Sequence, residues 1–260
     1  MRETDFSFLP VRKKMVYEQM ARSYRVQEPR KKIDWVPFQE KLLESKIAYI
    51  SIAGAYHKDE QTPFTTDEKS ADYDYREIGV TSKCKDIRFT AIDWETSEVK
   101  KDCNVIFPAE QLVLLQKEGL IGELNDKIYS LSGYNENRKR LDKTINEIIA
   151  KLKENENVGV LIIPTSTVTA ETGCILANAI EAAGISTVLL SPFYEQAMLY
   201  APARCAFINF PFGRLLGKAN EITLQTAILR ELLRLFEKAK VPGEVICMNF
   251  IWPFGAIPNW

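Results

Sequence analysis

The second half of the chain alternates short apolar runs with helical patterns, and this alternation limits the folds open to it. Continuous apolar runs at residues 158–163, 187–190 and 205–210 are typical of buried strands. Amphipathic or apolar helical patterns at residues 170–183 and 222–240 flank them. Strands alternating with helices indicate parallel βαβ units. We therefore predict an α/β fold, doubly wound, with a mostly parallel sheet and helices on both faces.

The first half repeats this pattern less regularly. An apolar run closed by glycine at residues 46–54 predicts a buried strand, and residues 87–92 predict a second one. A third short apolar segment, residues 104–108, is stopped by proline. Helices are predicted at residues 109–118 and 141–153.

The length of 260 residues suits one extended α/β domain or two small lobes that share a cleft. Residues 1–45 are polar and mixed, and we expect them to form an N-terminal arm. Residues 46–260 would form the α/β body, which could divide into lobes at residues 46–135 and 136–260. The arm is expected to be anchored by Trp35, Pro37 and Phe38.

Composition excludes several classes of function. The 34 basic and 35 acidic residues leave a net charge of −1, which does not favour a nucleic-acid partner. No apolar run approaches the roughly 18 residues that a membrane helix needs, and the acidic start of the chain is unlike a secretory signal. We therefore expect no nucleic acid, no membrane and a cytoplasmic location.

The cysteine and histidine content argues against a metal site. The five cysteines are scattered without a CxxC pair, and His57 is the single histidine. We expect no metal and five reduced, mostly buried thiols. Neither a GxGxxG motif nor a P-loop occurs, so we also expect no cofactor.

The most informative segment runs from residue 162 to residue 174. A predicted buried strand leads into hydroxyl residues, which then open a predicted helix. Hydroxyls and free amides at a helix N-terminus can bind an anion. The same residues could be only caps and turn formers, with Thr167 or Thr169 as the N-cap. Ligands of doubly wound sheets bind at the carboxyl ends of strands, which also selects Gly54, Pro108 and residues 210–217.

This segment, together with residues 181–188, resembles the active-site strand, loop and helix of the B components of glycine, sarcosine, betaine and D-proline reductases. The resemblance covers about residues 46–238. Further blocks resemble the family in order: an acidic, aromatic and arginine segment at 72–78, a D-x-N-x-x-x-P block at 102–108 continued by 118–122, and a C-terminal signature at 202–204, 210–217 and Gln225.

The resemblance implies reductive cleavage of a C–N bond by a selenocysteine or cysteine in the strand-to-helix loop, resolved by a nearby cysteine. The reactive position falls near Ser166, and the accompanying positions fall near Thr169 and Thr172. None is cysteine, and serine cannot form a selenenyl sulfide or disulfide. The implied activity is therefore that of a divergent member whose redox centre is replaced by serine and threonine.

The candidate catalytic residues are Ser166, Thr169 and His57. His57 is the only side chain whose ordinary pKa lies near neutrality. It could equally be structural or exposed. The segment 87–91, where the family tends to carry a histidine, has none.

A carboxylate ligand would be held by arginine, whose planar fork matches a carboxylate with two hydrogen bonds. Arg76 and Arg204 lie beside the resembling segments, although an ion pair is the alternative for each. Asp102 and Asn104 could instead hold their loop by Asx-type hydrogen bonds. The candidate substrate-binding residues are Arg76, Asp74, Asn104, Thr165, Thr167, Arg204 and Gly213.

Three functions stay open at this point. The chain could be an enzyme acting on glycine, betaine, sarcosine or D-proline class substrates. It could be a non-catalytic subunit that binds a ligand or acts as a scaffold, or it could be a small-molecule sensor. The expected partners are a small amino-acid-like ligand, other subunits of a reductase complex and a second copy of the chain in a homo-oligomer.

Overall fold

The structure, a computed structural model, describes residues 3–65, 67 and 71–252. Its helices are α1 Val11–Arg25, α2 Ala109–Lys117, α3 Arg138–Glu154, α4 Thr167–Ala182, α5 Tyr194–Tyr200 and α6 Ile222–Lys238. Its strands are β1 Lys46–Ile52, β2 Ala55–His57, β3 Arg76–Gly79, β4 Ile87–Phe89, β5 Glu123–Leu124, β6 Lys127–Ser130, β7 Gly159–Pro164, β8 Ser186–Ser191, β9 Cys205–Phe207 and β10 Val245–Cys247. Short 3-10 turns occur at Leu42–Glu44, Cys84–Asp86 and Cys103–Val105.

One eight-stranded sheet organises the molecule. Its strand order is β10-β9-β8-β7-β1-β6-β3, and β5 pairs with β1 beside β6. Every pairing is parallel except β3 with β6. β2 and β4 form a separate antiparallel pair. The predicted α/β fold with a mostly parallel sheet is therefore confirmed.

The core lies on both faces of this sheet, because side chains alternate along each strand. On β1, Ile47 and Tyr49 pack on one face, with α1, α2 and α6. Ala48 and Ile50 pack on the other, with α3 and α4. The two layers of helices explain why the central strands are apolar throughout rather than alternating with polar residues.

The sheet runs through both halves of the chain. β1 pairs with β7 over six residues, from Ile47 opposite Gly159 to Ile52 opposite Pro164. A division into lobes at residue 135 would assign β1 to one lobe and β7 to the other, although these two strands pair in one sheet. The division into lobes stays a prediction.

The N-terminal arm is attached by aromatic contacts. Phe38 lies 4.9 Å from Phe236 between ring centroids, and Phe6 lies 5.4 Å from Phe193. Trp35 stacks on Arg204 at 3.7 Å. The predicted anchoring by Trp35 and Phe38 is confirmed, and α1 adds a helix that packs against α5.

Several elements differ from the sequence predictions. The predicted strand at 87–92 ends at Phe89 and pairs with β2 outside the main sheet. The apolar segment at 104–108 begins in a 3-10 turn, Cys103–Val105. The sequence did not indicate β6, an interior strand of only four residues between β1 and β3. The aromatic and proline-rich residues 250–260 predict a tail that packs on the body, but residues 253–260 lie outside the described part, so this stays a prediction. No helix in the described residues is long and apolar enough to cross a membrane.

Candidate functional site

The strand order reverses between β1 and β7. From β1 the chain continues to β5 and β6 on one side, then returns to place β7 on the other. In doubly wound sheets the carboxyl ends of two such strands border the ligand crevice. Ile52 ends β1 and Pro164 ends β7. The hydroxyl-rich segment that follows β7 therefore lies at this crevice, joined to β1 by the Thr165 hydroxyl, which donates to the Ile52 carbonyl at 3.3 Å.

The loop between β7 and α4 is held by one threonine. The Thr169 hydroxyl oxygen accepts the backbone N–H groups of Thr165 and Ser166, each at 2.8 Å. Ser166 is the N-cap residue of α4. The prediction of Thr167 or Thr169 as the cap was wrong, because α4 begins at Thr167, three residues earlier than its apolar pattern indicates.

Ser166 and Thr167 are both buried. The Ser166 hydroxyl donates to the Ile92 carbonyl at 3.1 Å, so the segment after β4 covers it. The Thr167 hydroxyl has no hydrogen-bond partner among the described residues. A buried, unsatisfied hydroxyl is costly, and a polar ligand group within reach of Thr167 would remove that cost.

Two glycines border this loop. The Gly213 N–H donates to the Thr165 carbonyl at 2.9 Å. Gly213 has a φ of 76°, and a Cβ atom there would lie 2.5 Å from the Glu95 carbonyl oxygen. The Thr172 hydroxyl donates to the Gly133 carbonyl at 2.6 Å. The structure thus brings the predicted residues Thr165, Ser166, Thr169 and Gly213 together at the end of β7.

Arg76 and Asp74 line a neighbouring open cleft of about 850 Å³. Arg76 donates to the Asp72 carboxylate at 2.6 Å and lies 4.1 Å above the Phe64 ring. Arg140 lines the same cleft, with its guanidinium 4.8 Å from the Tyr73 ring. The sequence did not indicate Arg140. This residue belongs to a run of basic residues, and such a run is typical of the solvent-exposed first turn of a helix.

Two hydrogen bonds connect this cleft to the loop region. The Ser132 hydroxyl donates to the Asp72 carbonyl at 2.7 Å, and Ser132 directly precedes the Gly133 that contacts Thr172. The Thr90 hydroxyl donates to the Phe64 carbonyl at 3.2 Å. The segments that form the cleft are therefore hydrogen-bonded to segments that adjoin the crevice.

Arg204 is fully buried and does not line either region. Its guanidinium donates to Glu181 at 2.8 Å and to the Val36 carbonyl at 2.6 Å, and it stacks on Trp35. Burial lowers the pKa of Arg204 and raises the pKa of Glu181. A ligand carboxylate would have to displace Glu181 from a buried ion pair. The geometry instead has Arg204 holding the N-terminal arm against α4.

Asn104 lies apart from Ser166, beside Cys84. Its backbone N–H donates to Asp102 at 3.0 Å, which confirms the Asx-type interpretation. Its amide donates to Asp102 at 2.9 Å and contacts the Cys84 sulfur at 3.4 Å. Burial alone would raise the pKa of Asp102, but hydrogen bonds from Gln225, the Asn220 N–H and Asn104 hold it below its usual value.

His57 lies on β2, with 18% of its side chain exposed. Its Nδ1 is 3.8 Å from the Glu60 carboxylate and has no hydrogen-bond partner in the described part of the chain. No hydrogen bond within that part joins His57 to Ser166. The geometry therefore does not bring the predicted base to the predicted nucleophile.

The cysteines correct the sequence prediction. Cys84 and Cys103, 19 residues apart, form a disulfide, so the expectation of five reduced thiols was wrong for these two. Cys174 and Cys205 are free and buried, and burial raises the pKa of both thiols. Within residues 3–65, 67 and 71–252, no group of three His, Cys, Asp or Glu side chains could hold a metal ion.

Comparisons with known proteins agree on one family. The model of the glycine/sarcosine/betaine reductase selenoprotein B family matches residues 11–167. The chain is 24% identical over 217 residues to the D-proline reductase subunit gamma of Acetoanaerobium sticklandii, covering 83% of this chain and 88% of that protein. Over 87 residues it is 32% identical to the betaine reductase complex component B subunit beta of Peptoclostridium acidaminophilum, covering 34% of this chain and 20% of that protein.

No solved structure matches the chain. The family match includes β1 to β7 and the loop at the crevice, and it ends at Thr167, the first residue of α4. The matched relatives are subunits of reductase complexes by name. The chain belongs to the glycine/sarcosine/betaine reductase selenoprotein B family.

Proposed function

We propose that this chain is a B-type subunit of a reductase complex and that it binds an amino-acid-like substrate whose C–N bond is cleaved reductively. The observation that carries this proposal is the position of the Ser166 loop. It lies at the carboxyl ends of β1 and β7, where the strand order reverses. The resemblance assigns this loop to the reacting group, and the family match includes the loop up to the first residue of α4.

The cleft beside the loop suits a zwitterion. Asp74 and Arg140 both line it, and neither makes an ion pair within the described residues. A carboxylate offers a partner for the Arg140 guanidinium, and an ammonium offers one for Asp74. Arg76 adds positive charge to the same cleft, although Asp72 already occupies one edge of its guanidinium. Opposite charges in one cleft favour an amino acid over a simple anion.

The electrons for the reaction would come from outside the loop. Reductive cleavage of a C–N bond takes up two electrons and two protons, releasing the amine and leaving a C–H bond. Ser166 cannot supply electrons, because an alcohol forms neither a selenenyl sulfide nor a disulfide. We therefore infer that this subunit binds and orients the substrate, while a thiol or selenol of another subunit reduces it. Cytoplasmic location and a homo-oligomeric state stay predictions.

A non-catalytic role is the second candidate, and one observation favours it. The Ser166 hydroxyl is buried and already donates to the Ile92 carbonyl. A chain in this state would bind a ligand as a scaffold subunit or sensor without any chemistry at position 166.

Calorimetric titration with glycine, sarcosine, betaine and D-proline tests the binding proposal. Arg140→Gln and Asp74→Asn are expected to weaken binding about tenfold each, the value of one charge-assisted hydrogen bond. Arg138→Gln, which removes an exposed charge two residues away on α3, should leave affinity unchanged. Failure of all four ligands to bind would contradict the proposed substrate class.

Chemistry at position 166 separates the two candidates. Ser166→Cys restores a thiol at the loop. Release of amine by this variant with a dithiol reductant, and its absence in the wild type, would support a substrate-orienting subunit. Tight ligand binding without turnover, in the variant and in reconstituted complexes, would favour the scaffold or sensor role.

A further inference from the structure

The Cys84–Cys103 disulfide borders a cleft of about 580 Å³ that is separate from the Ser166 loop. Cys84 lies in the turn before β4, and Cys103 lies in the turn before α2. Cys84 is half-buried, whereas Cys103 is 3% exposed. An incoming thiol would therefore meet the sulfur of Cys84.

The cleft is positively charged. Its lining holds four basic side chains and one acidic one, and the acidic one already accepts hydrogen bonds from Asn104, Asn220 and Gln225: Lys85, Arg88, Lys100, Lys101 and Asp102. Lys101 is paired with Glu98 at 2.8 Å. For the other three basic side chains, no carboxylate partner exists within the described residues, and Arg88 donates only to the carbonyls of Lys85 and Ile87. Positive charge beside a disulfide stabilises the thiolates that form during exchange.

We propose that Cys84–Cys103 is a redox-active disulfide that accepts electrons from a thiol bearing additional negative charge. This centre is independent of the amino-acid site proposed above, because it uses a different cleft and different residues. Its substrate class follows from the unpaired cations, which attract an anionic reductant and repel a cationic one.

The exchange balances in two steps. A thiolate of the reductant attacks the Cys84 sulfur, the Cys84–Cys103 bond breaks, and Cys103 leaves as a thiolate that takes up a proton. A second reductant thiolate then attacks the outer sulfur of the mixed disulfide. This step forms the reductant's own disulfide and releases Cys84 as a thiolate, which takes up the second proton. The protein disulfide gains two electrons and two protons, which the two reductant thiols lose.

The surroundings give the two sulfurs different roles. The Asn104 amide lies 3.4 Å from the Cys84 sulfur and can donate a hydrogen bond to a thiolate there. The Cys103 sulfur lies 3.7 Å from the Phe107 carbonyl, which accepts a hydrogen bond from the protonated thiol. Cys84 is therefore the exchanging thiol and Cys103 the resolving one.

Three small thiols of similar size but different charge test the proposal: 2-mercaptoethanesulfonate, 2-mercaptoethanol and cysteamine. The rate at which each thiol reduces the Cys84–Cys103 disulfide is measured at low ionic strength. Each rate is divided by the rate at which the same thiol reduces a neutral model disulfide. Each added negative charge on the reductant should speed reduction about threefold, from the attraction at about 6 Å in water. An acidic peptide with a CxxC pair, tested alongside, indicates a protein donor if it is faster than the small anion and a small-molecule donor if it is slower.

Charge reversal supplies the matched variants. Lys85→Glu and Lys100→Glu should abolish the preference for the anionic thiol, whereas Lys117→Glu, an exposed lysine on α2, should retain it. Equal normalised rates for all three thiols in the wild type would overturn the proposal. So would a titration that finds all five thiols free in air-oxidised, denatured protein.

Mass mapping assigns the exchanging sulfur. In Cys103→Ser, the remaining Cys84 thiolate should attack the disulfide form of the anionic thiol, forming a mixed disulfide and releasing one equivalent of that thiol. In Cys84→Ser, the buried Cys103 should stay unmodified in the folded protein. An adduct that forms on Cys103 but not on Cys84 would overturn the assigned roles.

Discussion

The side-chain oxygen of Thr169 lies 2.8 Å from the backbone nitrogen of Ser166 and accepts its hydrogen bond. The same oxygen accepts the N–H of Thr165 at 2.8 Å. One hydroxyl on the first turn of α4 thus satisfies two buried donors of the preceding loop. The position of Ser166 at the crevice therefore depends on the Thr169 hydroxyl as well as on its own side chain, which donates to the Ile92 carbonyl.

Replacing Thr169 with valine should destabilise the fold. Thr169→Val keeps the shape but leaves two buried N–H groups without an acceptor, at an expected cost of about 3 kcal/mol in the free energy of unfolding. Thr169→Ser keeps the hydroxyl and should cost under about 1.5 kcal/mol. Urea denaturation of both variants measures the difference, and equal losses would contradict this role for the hydroxyl.

Removing Arg204 should destabilise the protein strongly. Arg204→Met leaves Glu181 as a buried, uncompensated charge, which is expected to cost about 3–5 kcal/mol. Arg230→Met, which breaks the more exposed pair with Glu118, should cost under about 1 kcal/mol. Chemical denaturation checks both. A stable Arg204→Met variant that has lost ligand affinity would instead favour the carboxylate-binding role predicted from the sequence.

Gly213 should not tolerate a side chain. Gly213→Ala adds a Cβ atom against the Glu95 carbonyl oxygen at a positive φ. Gly184 also has a positive φ, but no atom lies near its added Cβ. Gly184→Ala should therefore cost about 1 kcal/mol from its backbone conformation alone, and Gly213→Ala about 2 kcal/mol more from overpacking. Thermal unfolding of the two variants compares them directly.

The lowered pKa of Asp102 predicts a pH-dependent contribution to stability. Because the folded-state pKa lies below the unfolded value, the contribution is present above about pH 4 and is lost as the pH falls through the folded pKa. Asp102→Asn should cost about 1 kcal/mol at pH 7. Urea denaturation at pH 7, 5 and 3.5 measures the free energy of unfolding of Asp102→Asn and of the wild type. The difference between the two should become smaller only at pH 3.5. A constant difference would contradict the assignment.

The boundaries of elements with a clear hydrophobic periodicity could be predicted to within a few residues. β7 and β8 were predicted at 158–163 and 187–190 and lie at Gly159–Pro164 and Ser186–Ser191. α6 was predicted from residue 222 and begins there. Each carries its hydrophobic pattern within one short window of sequence. The apolar run of β7 also showed that the hydroxyl-rich loop follows the end of a strand. Because the alternation of strands and helices predicts a parallel sheet, the loop was expected at the carboxyl edge, where ligands bind.

Other features depend on residues far apart in sequence. β6 has only four residues and no hydrophobic pattern of its own, and it becomes an interior strand through pairing with β1 and β3. Arg76 and Arg204 looked equivalent in sequence, yet one lines an open cleft and the other is buried against Glu181.

The sequence by itself determined the α/β class, the family resemblance and the loop at Ser166, because these follow from local periodicity and ordered motifs. Only the tertiary structure decided which groups meet: Thr165 with Gly213, Arg204 with Val36, and Cys84 with Cys103. The physical reason is that strand order sets distances between residues distant in sequence. Burial and hydrogen bonding then decide whether a polar side chain serves a ligand or the fold.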